Sequence, residues 1–263
     1  LLVQPPLPAT FGAATPPLIN GGSMSNRGIE IEAGYSGKAG PDFSFSVSGN
    51  FSYMKNKLTA LSSDLSFIAS PVSNKLTRNF ELQRSVVGLP IASFYGYKMI
   101  GIFQDQDQVN NYVNQPGKAV GHFIYQDIDG NGVIDDKDRT FLGSPIPTVN
   151  YGWNLKVKYR KFDCWLFVQG VSGNQIFDFT RVYSDFFSSP SASNKNIRIL
   201  NAWSSTNPTN AGPPILTTNS TSNDTRPSNY FIQDGSYLRL KTLQVGYTFA
   251  KNLVPVLVAS ALL

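Results

Sequence analysis

From Phe43 to Tyr53 the odd positions read Phe43, Phe45, Val47, Gly49, Phe51 and Tyr53, and the even positions read Ser44, Ser46, Ser48, Asn50 and Ser52. Successive side chains of a strand point to opposite sides, so a period of two describes a strand with one apolar face and one small polar face. Tyr151, Trp153, Leu155, Val157 and Tyr159 repeat the pattern against Gly152, Asn154, Lys156, Lys158 and Arg160. Ile29, Ile31, Ala33 and Tyr35 alternate with Glu30, Glu32, Gly34 and Ser36. Leu243, Val245, Tyr247 and Phe249 alternate with Thr242, Gln244, Gly246 and Thr248. Leu238 and Leu240 fall on the opposite parity, which predicts a bulge around Lys241–Thr242. Phe94–Phe103 and Cys164–Gly170 read as further strands with weaker alternation, and no long stretch has helical periodicity. The fold class is therefore all-β, with roughly eight to ten strands.

Two kinds of connection separate these strands. Ser36–Pro41 and Arg160–Asp163 are short, whereas Lys55–Asn79, Gln104–Thr148 and Val171–Gln233 are very long. Structureless loops of that length are unusual in a compact soluble domain. Short turns alternating with long loops are the arrangement of an outer-membrane barrel. The faces allow two architectures. A sandwich buries its apolar face, while a large membrane barrel turns it to lipid and keeps polar groups in the lumen. Aromatics at strand ends (Tyr35, Tyr53, Tyr151, Tyr159, Phe249) favour the interfacial girdles of a barrel. Only 15% of residues are charged, against a typical ~25%, while Tyr and Phe supply 12 and 18 residues.

Composition also closes off several function classes. The formal charge of +5 is not gathered into Lys/Arg runs, so a nucleic-acid footprint is not expected. The single cysteine, Cys164, excludes an internal disulfide. No segment of ~20 apolar residues is present to make a transmembrane helix. Leu1–Pro8 lacks the basic start and cleavage site of a signal peptide, so any export signal is expected upstream. His122 is the only histidine and has no neighbouring nucleophile in sequence, so a Ser-His-Asp site is not expected; a solvated or strand-end role is. Trp203, Tyr230 and Phe231 lie in or beside a long polar loop, where they would stack on sugar rings, anchor the loop, or meet a partner.

One short segment carries candidate ligands. Asp127-Ile-Asp-Gly-Asn-Gly-Val-Ile-Asp-Asp-Lys-Asp138 places side-chain oxygens at loop positions 1, 3, 5, 9 and 12: Asp127, Asp129, Asn131, Asp135 and Asp138. Gly132 takes the sharp turn at position 6, Val133 offers its carbonyl at position 7, and Ile134 would pin the loop to a core. Clustered carboxylates repel unless a hard cation or bulk water screens them, so the expected cofactor is a structural Ca²⁺. Asp136 and Lys137 are expected to face solvent. Position 12 is Asp rather than the bidentate Glu of an EF-hand, and the β-like Gly121–Gln126 and the Gly143-Ser-Pro145 that follow leave no room for EF-hand helices. An exposed Asp/Asn/Gly turn without metal is the alternative.

The ordered segments Asn26–Glu32, Gly49–Lys57, Val87–Tyr97, Gly101–Gln104, Asp127–Arg139, Gly143–Pro147, Tyr151-Gly152, Phe167–Gly170, Trp203 with Asn207–Asn210, Asp234–Lys241 and Gly246–Phe249 together resemble the C-terminal barrel half of SusC/RagA-type TonB-dependent outer-membrane transporters. The resemblance implies an antiparallel meander forming part of a large transmembrane β-barrel. It implies a barrel domain over residues 1–263 lacking plug and last strands, with a calcium-loop-containing extracellular insertion over 121–147. Such a protein would sit in the Gram-negative outer membrane among its lipid and import oligosaccharides or peptides. It would work with a SusD-like surface lipoprotein and be energised by TonB through an N-terminal region outside this chain, without enzymatic chemistry. After Phe249, Ala250–Leu263 resembles nothing in that family. A secreted β-rich adhesion or glycan-binding module with a calcium-stiffened loop is the alternative reading.

Overall fold

A computed structural model describes residues 2–3, 19–63, 65–69, 81–187, 194–218 and 223–249. The tail Ala250–Leu263, most of Leu1–Pro8 and part of Lys55–Asn79 lie outside the described residues. The main elements, in chain order, are β1 (Gly22–Ala39), β2 (Phe43–Leu61), β3 (Ser93–Tyr97), β4 (Met99–Ile102), α1 (Gln106–Asn111), β5 (Phe123–Tyr125), β6 (Arg139–Gly143), β7 (Val149–Tyr159), β8 (Phe162–Ser172), β9 (Gln175–Phe177), β10 (Ile232–Asp234) and β11 (Tyr237–Tyr247). They fall into two compact units. One comprises Leu1–Ser25, Asn56–Ile146 and Gln175–Asp234, and the other Asn26–Lys55, Pro147–Asn174 and Gly235–Leu263.

The second unit is a single five-stranded sheet of order β11-β8-β7-β2-β1. β7 pairs antiparallel with β2 and β8 without a slip, and β8 pairs antiparallel with β11. Gly34 packs beside Ser48 and Gly37 beside Phe45, so β1 runs antiparallel to β2 as well. The expected bulge is present: Phe167 pairs with Thr242 and Val168 with Leu240, leaving Lys241 unpaired. It switches parity so that Leu240 and Leu243 both join the apolar face. The β7–β8 hairpin closes with Tyr159 opposite Phe162 across Arg160 and Lys161. A two-residue turn of this kind needs left-handed backbone, and Arg160 supplies it at φ 53. Arg160 Nε also donates to Asp42 Oδ2 at 3.0 Å, tying this turn to the β1–β2 turn.

Register puts Phe45, Val47, Phe51, Tyr151, Trp153, Leu155 and Val157 on one face, joined by Cys164, Leu166, Val168, Leu243 and Val245. That face is not a sandwich core, because Trp153 is 61% and Val245 71% exposed. At its short-turn end Phe43, Tyr159, Phe162 and Tyr247 stand opposite one another in a single row across four strands. From Val149 to Tyr159 the face extends ~34 Å along the strand at 3.4 Å per residue. At a barrel tilt of ~40° this becomes about 26 Å, close to the ~25 Å apolar band of outer-membrane barrels. Among the described residues β1 and β11 are the sheet's open edges. The fold is thus all-β and antiparallel, a segment of barrel wall.

The first unit is built from what the sequence presents as long loops. Phe94–Phe103 is not one strand. It breaks at Lys98 because β3 pairs with β6 while β4 pairs with β5, so the two halves serve different sheets. α1 is capped by the Asp105 side chain, which accepts from Gln108 N, and it buries Val109. β9 pairs with β10, bringing residues 175–177 against 232–234. The core is aromatic: Tyr97, Phe123, Tyr125, Phe186, Trp203, Tyr230 and Phe231 cluster with Ile102, Ile134 and Val182. Two buried carboxylates staple this core. Asp185 accepts from Tyr230 Oη at 2.7 Å and pairs with Arg198 at 3.1 Å, and Asp224 accepts from Phe123 N at 3.0 Å. With this much buried aromatic area, segments that lack periodicity still fold.

Candidate metal centre

The acidic loop hangs between β5 and β6. Ile134 is 1% exposed in the aromatic core and anchors the loop's middle. Asn114 grips the same stretch from the far side, its N–H donating to Gly132 O and its carbonyl accepting from Ile134 N, each at 2.9 Å. The turn between these anchors needs left-handed backbone at Gly130 (φ 73) and Gly132 (φ 82), where a side chain would be strained.

Each acidic side chain has a defined local role. Asp127 accepts from Gly130 N at 2.8 Å and Gly132 N at 2.9 Å. Asp129 accepts from Asn131 N, and Asn131 Oδ1 accepts from Val133 N at 2.8 Å. Asp138 is fully buried and accepts from Ile128 N at 2.7 Å and Asp135 N at 2.8 Å, closing the loop's two ends on each other. Oxygens of Asp127, Asp129 and Asp138 lie within 4.8 Å of one another. Two oxygens on one Ca²⁺ at 2.3–2.6 Å can be at most about 4.6–5.2 Å apart, so a single ion of that size fits these three. Asp135 turns its carboxylate to Lys137 N at 2.7 Å, capping the short 3-10 turn Asp136–Asp138. Asp136 and Lys137 are exposed, and Asp136 also accepts from Tyr97 Oη at 3.1 Å.

The electrostatic effect of the loop is felt by nearby tyrosines. Burial pushes the Tyr112 hydroxyl up, and the charges of Asp127 and Asp138 add to it. Burial, with a smaller contribution from Asp136, pushes Tyr97 up to about 12 against the opposing Arg226.

Other candidates from the sequence resolve into structural roles. His122 is not solvated: it is 9% exposed at the start of β5, with Nδ1 2.5 Å from Asp224 Oδ2. Trp203, Tyr230 and Phe231 are 7%, 8% and 0% exposed, so they build the core and are not free to stack on a sugar. Asn114, Asp185 and Asp224 were not singled out by sequence. Their partners lie 13 to 102 residues away wherever a side chain is involved, and no local motif marks such pairs.

No family model matches the chain. The chain is 33% identical over 254 residues to TonB-dependent receptor P3 of Formosa agariphila, covering 96% of this chain and 24% of that protein. It is 28% identical over 234 residues to TonB-dependent receptor P26 of the same organism, covering 88% and 22%. It is 26% identical over 233 residues to TonB-dependent receptor SusC of Bacteroides thetaiotaomicron, covering 88% and 21%. The chain therefore spans about a quarter of the length of the curated relatives it matches. Among solved structures, its fold is similar to that of the RagAB peptide transporter, with a TM-score of 0.72 at 21% identity over 96% of this chain and 26% of that one.

Proposed function

This chain is a relative of the SusC/RagA-type TonB-dependent receptors, and on that premise we propose that it is barrel wall and surface-loop structure of an outer-membrane importer. The observation that carries the reading is the exposed apolar face of β2, β7, β8 and β11, bounded by the row Phe43–Tyr159–Phe162–Tyr247. Lipid is the solvent that such a face suits, and the polar side with its serines, asparagines and lysines suits a lumen. A secreted adhesion module would need to cover the same surface with protein.

In this reading the substrate is an oligosaccharide or peptide taken from outside. A SusD-like surface lipoprotein closes over it, and TonB supplies the work through a part of the protein beyond this chain. The residues described here bind, shape and gate; they make no covalent chemistry. Calcium, held through Asp127, Asp129 and Asp138 with Asn131, Asp135 and the Val133 carbonyl as the remaining candidate ligands, stiffens the loop over residues 121–147. The fit of three carboxylates to one ion supports this.

The test is genetic and physical together. Deleting the gene should abolish growth on one class of oligosaccharide or peptide while leaving growth on the corresponding monomers unchanged. The protein should fractionate with the outer membrane. Unchanged growth on every polymer class, or recovery of the protein in culture supernatant, would overturn the importer reading.

A further inference from the structure

The polar face of the five-stranded sheet is not uniform. At its short-turn end is a hollow of about 580 Å³, lined by Ser44, Ser46, Lys38, Lys156, Lys158 and Trp165 among others. Register explains its shape. Lys158 stands opposite Ser44 and Lys156 opposite Ser46 on the neighbouring strand. The β1–β2 pairing puts Lys38 on the other side of Ser44. Small serines thus form a floor and long lysines flank it. Lys38 and Lys158 are two strand spacings apart, ~10 Å, and Lys156 and Lys158 are two residues apart, ~7 Å. Trp165 is directly opposite Lys156 on β8; its indole N–H donates to Asn154 Oδ1 at 3.3 Å, and Lys156 Nζ lies 5.3 Å from its ring.

The local charge is not cancelled. Asp163 pairs in register with Lys158, yet its carboxylate lies over Gly246: a Cβ at Gly246 would be 2.6 Å from Asp163 Oδ1. Among the described residues none of the three lysines is in an ion pair. Three ammonium groups against one carboxylate leave the hollow cationic, and a concave low-dielectric wall concentrates that field. The two acidic residues of the same face of β1, Glu30 and Glu32, lie toward its other end.

We propose that this hollow is a subsite for an acidic saccharide, one bearing carboxylate or sulfate groups. It rests on the reading of this sheet as importer wall and names the chemistry of what passes along it. Lysines act as point charges for the acid groups, serine hydroxyls match sugar hydroxyls, and the indole offers an aromatic face. Lysine and serine are depleted from protein–protein interface cores, where Arg, Tyr and apolar side chains dominate, so a docked protein surface fits this composition less well.

The intact outer-membrane protein, purified in detergent, is titrated calorimetrically with tetragalacturonate, maltotetraose and tetraglutamate. Tetragalacturonate should bind at least tenfold more tightly than neutral maltotetraose, with affinity falling as salt is raised. The double substitution Lys156→Gln, Lys158→Gln should weaken it at least tenfold, Lys156→Arg should largely retain it, and Lys161→Gln at the turn tip should leave it unchanged. Circular dichroism of each variant checks that the strands have formed. Equal affinity for maltotetraose, or no loss in the double variant, overturns the subsite. Equal affinity for tetraglutamate overturns its assignment to a saccharide. A double variant that melts earlier but binds as before assigns the lysines to holding an acidic polypeptide segment, which also overturns it. Uptake by cells is read separately: import without acidic preference removes the subsite and leaves the importer, and binding without import does the reverse.

Discussion

Asp138 and Asp136 are two residues apart and chemically identical, yet one is fully buried with two backbone donors and the other is exposed. That difference predicts their response to calcium. Asp127→Ala should reduce the calcium heat at least tenfold in apparent affinity, because it removes both a converging oxygen and the acceptor for Gly130 and Gly132. Asp136→Ala should leave the affinity within a factor of about two; equal losses in the two variants would sink the site. Tyrosines provide a second reading at this scale. Tyr97, Tyr112, Tyr125 and Tyr230 are all raised, with burial the largest cause in each. A raised acid is neutral in the folded state, so its stabilisation is complete below the unfolded value near 10 and is lost as pH rises through the folded one. Tyr97 alone, at about 12, corresponds to roughly 2–3 kcal/mol. The loop unit should therefore melt progressively above pH 10, followed by near-UV circular dichroism. A flat melting temperature from pH 8 to 12 would contradict this.

Neighbouring residues on one strand are separated by function as well as by face. Leu155 projects onto the apolar side in register with Val47 and Leu166, while Asn154 projects onto the polar side in register with Ser48 and Phe167. Leu155→Lys should cost roughly 2–4 kcal/mol in detergent or bilayer unfolding, the range for a lysine at mid-band on the lipid face of a barrel. Asn154→Lys should cost much less, because that side is already polar and carries Lys156. Similar losses for both variants would remove the distinction between the faces. The bulge at Lys241 belongs to this scale too. Without it, a single parity through β11 would send either Leu238 and Leu240 or Leu243 and Val245 to the polar side.

For the chain as a whole, the open edges β1 and β11 and the uncovered apolar face predict association. Unpaired edge strands offer backbone donors and acceptors to any copy that approaches, and large apolar patches add to the drive. Produced without the rest of the barrel, the chain should form inclusion bodies or oligomers in plain buffer. Detergent should be needed to keep it dispersed, as measured by light scattering after gel filtration. A stable, detergent-free monomer would favour a secreted module instead.

Strand identity, face and register were legible in the residues because a period of two is a local property, written in neighbours such as Phe43 to Tyr53. The bulge was legible for the same reason, as a change of parity between Leu240 and Leu243. So were the spacing of the acidic loop and its anchor at Ile134, since loop ligands are counted along the chain. The fate of the apolar face was not, because alternation is the same whether protein or lipid covers it; the 61% exposure of Trp153 decided that. Nor could the residues alone say that Gln104–Thr148 and the segment after Val171 fold together. Their stability comes from contacts such as Phe123 with Tyr230 and His122 with Asp224, made between segments about a hundred residues apart. Pairings of that range leave no periodic trace in a sequence, and only the three-dimensional packing of the chain brings them about.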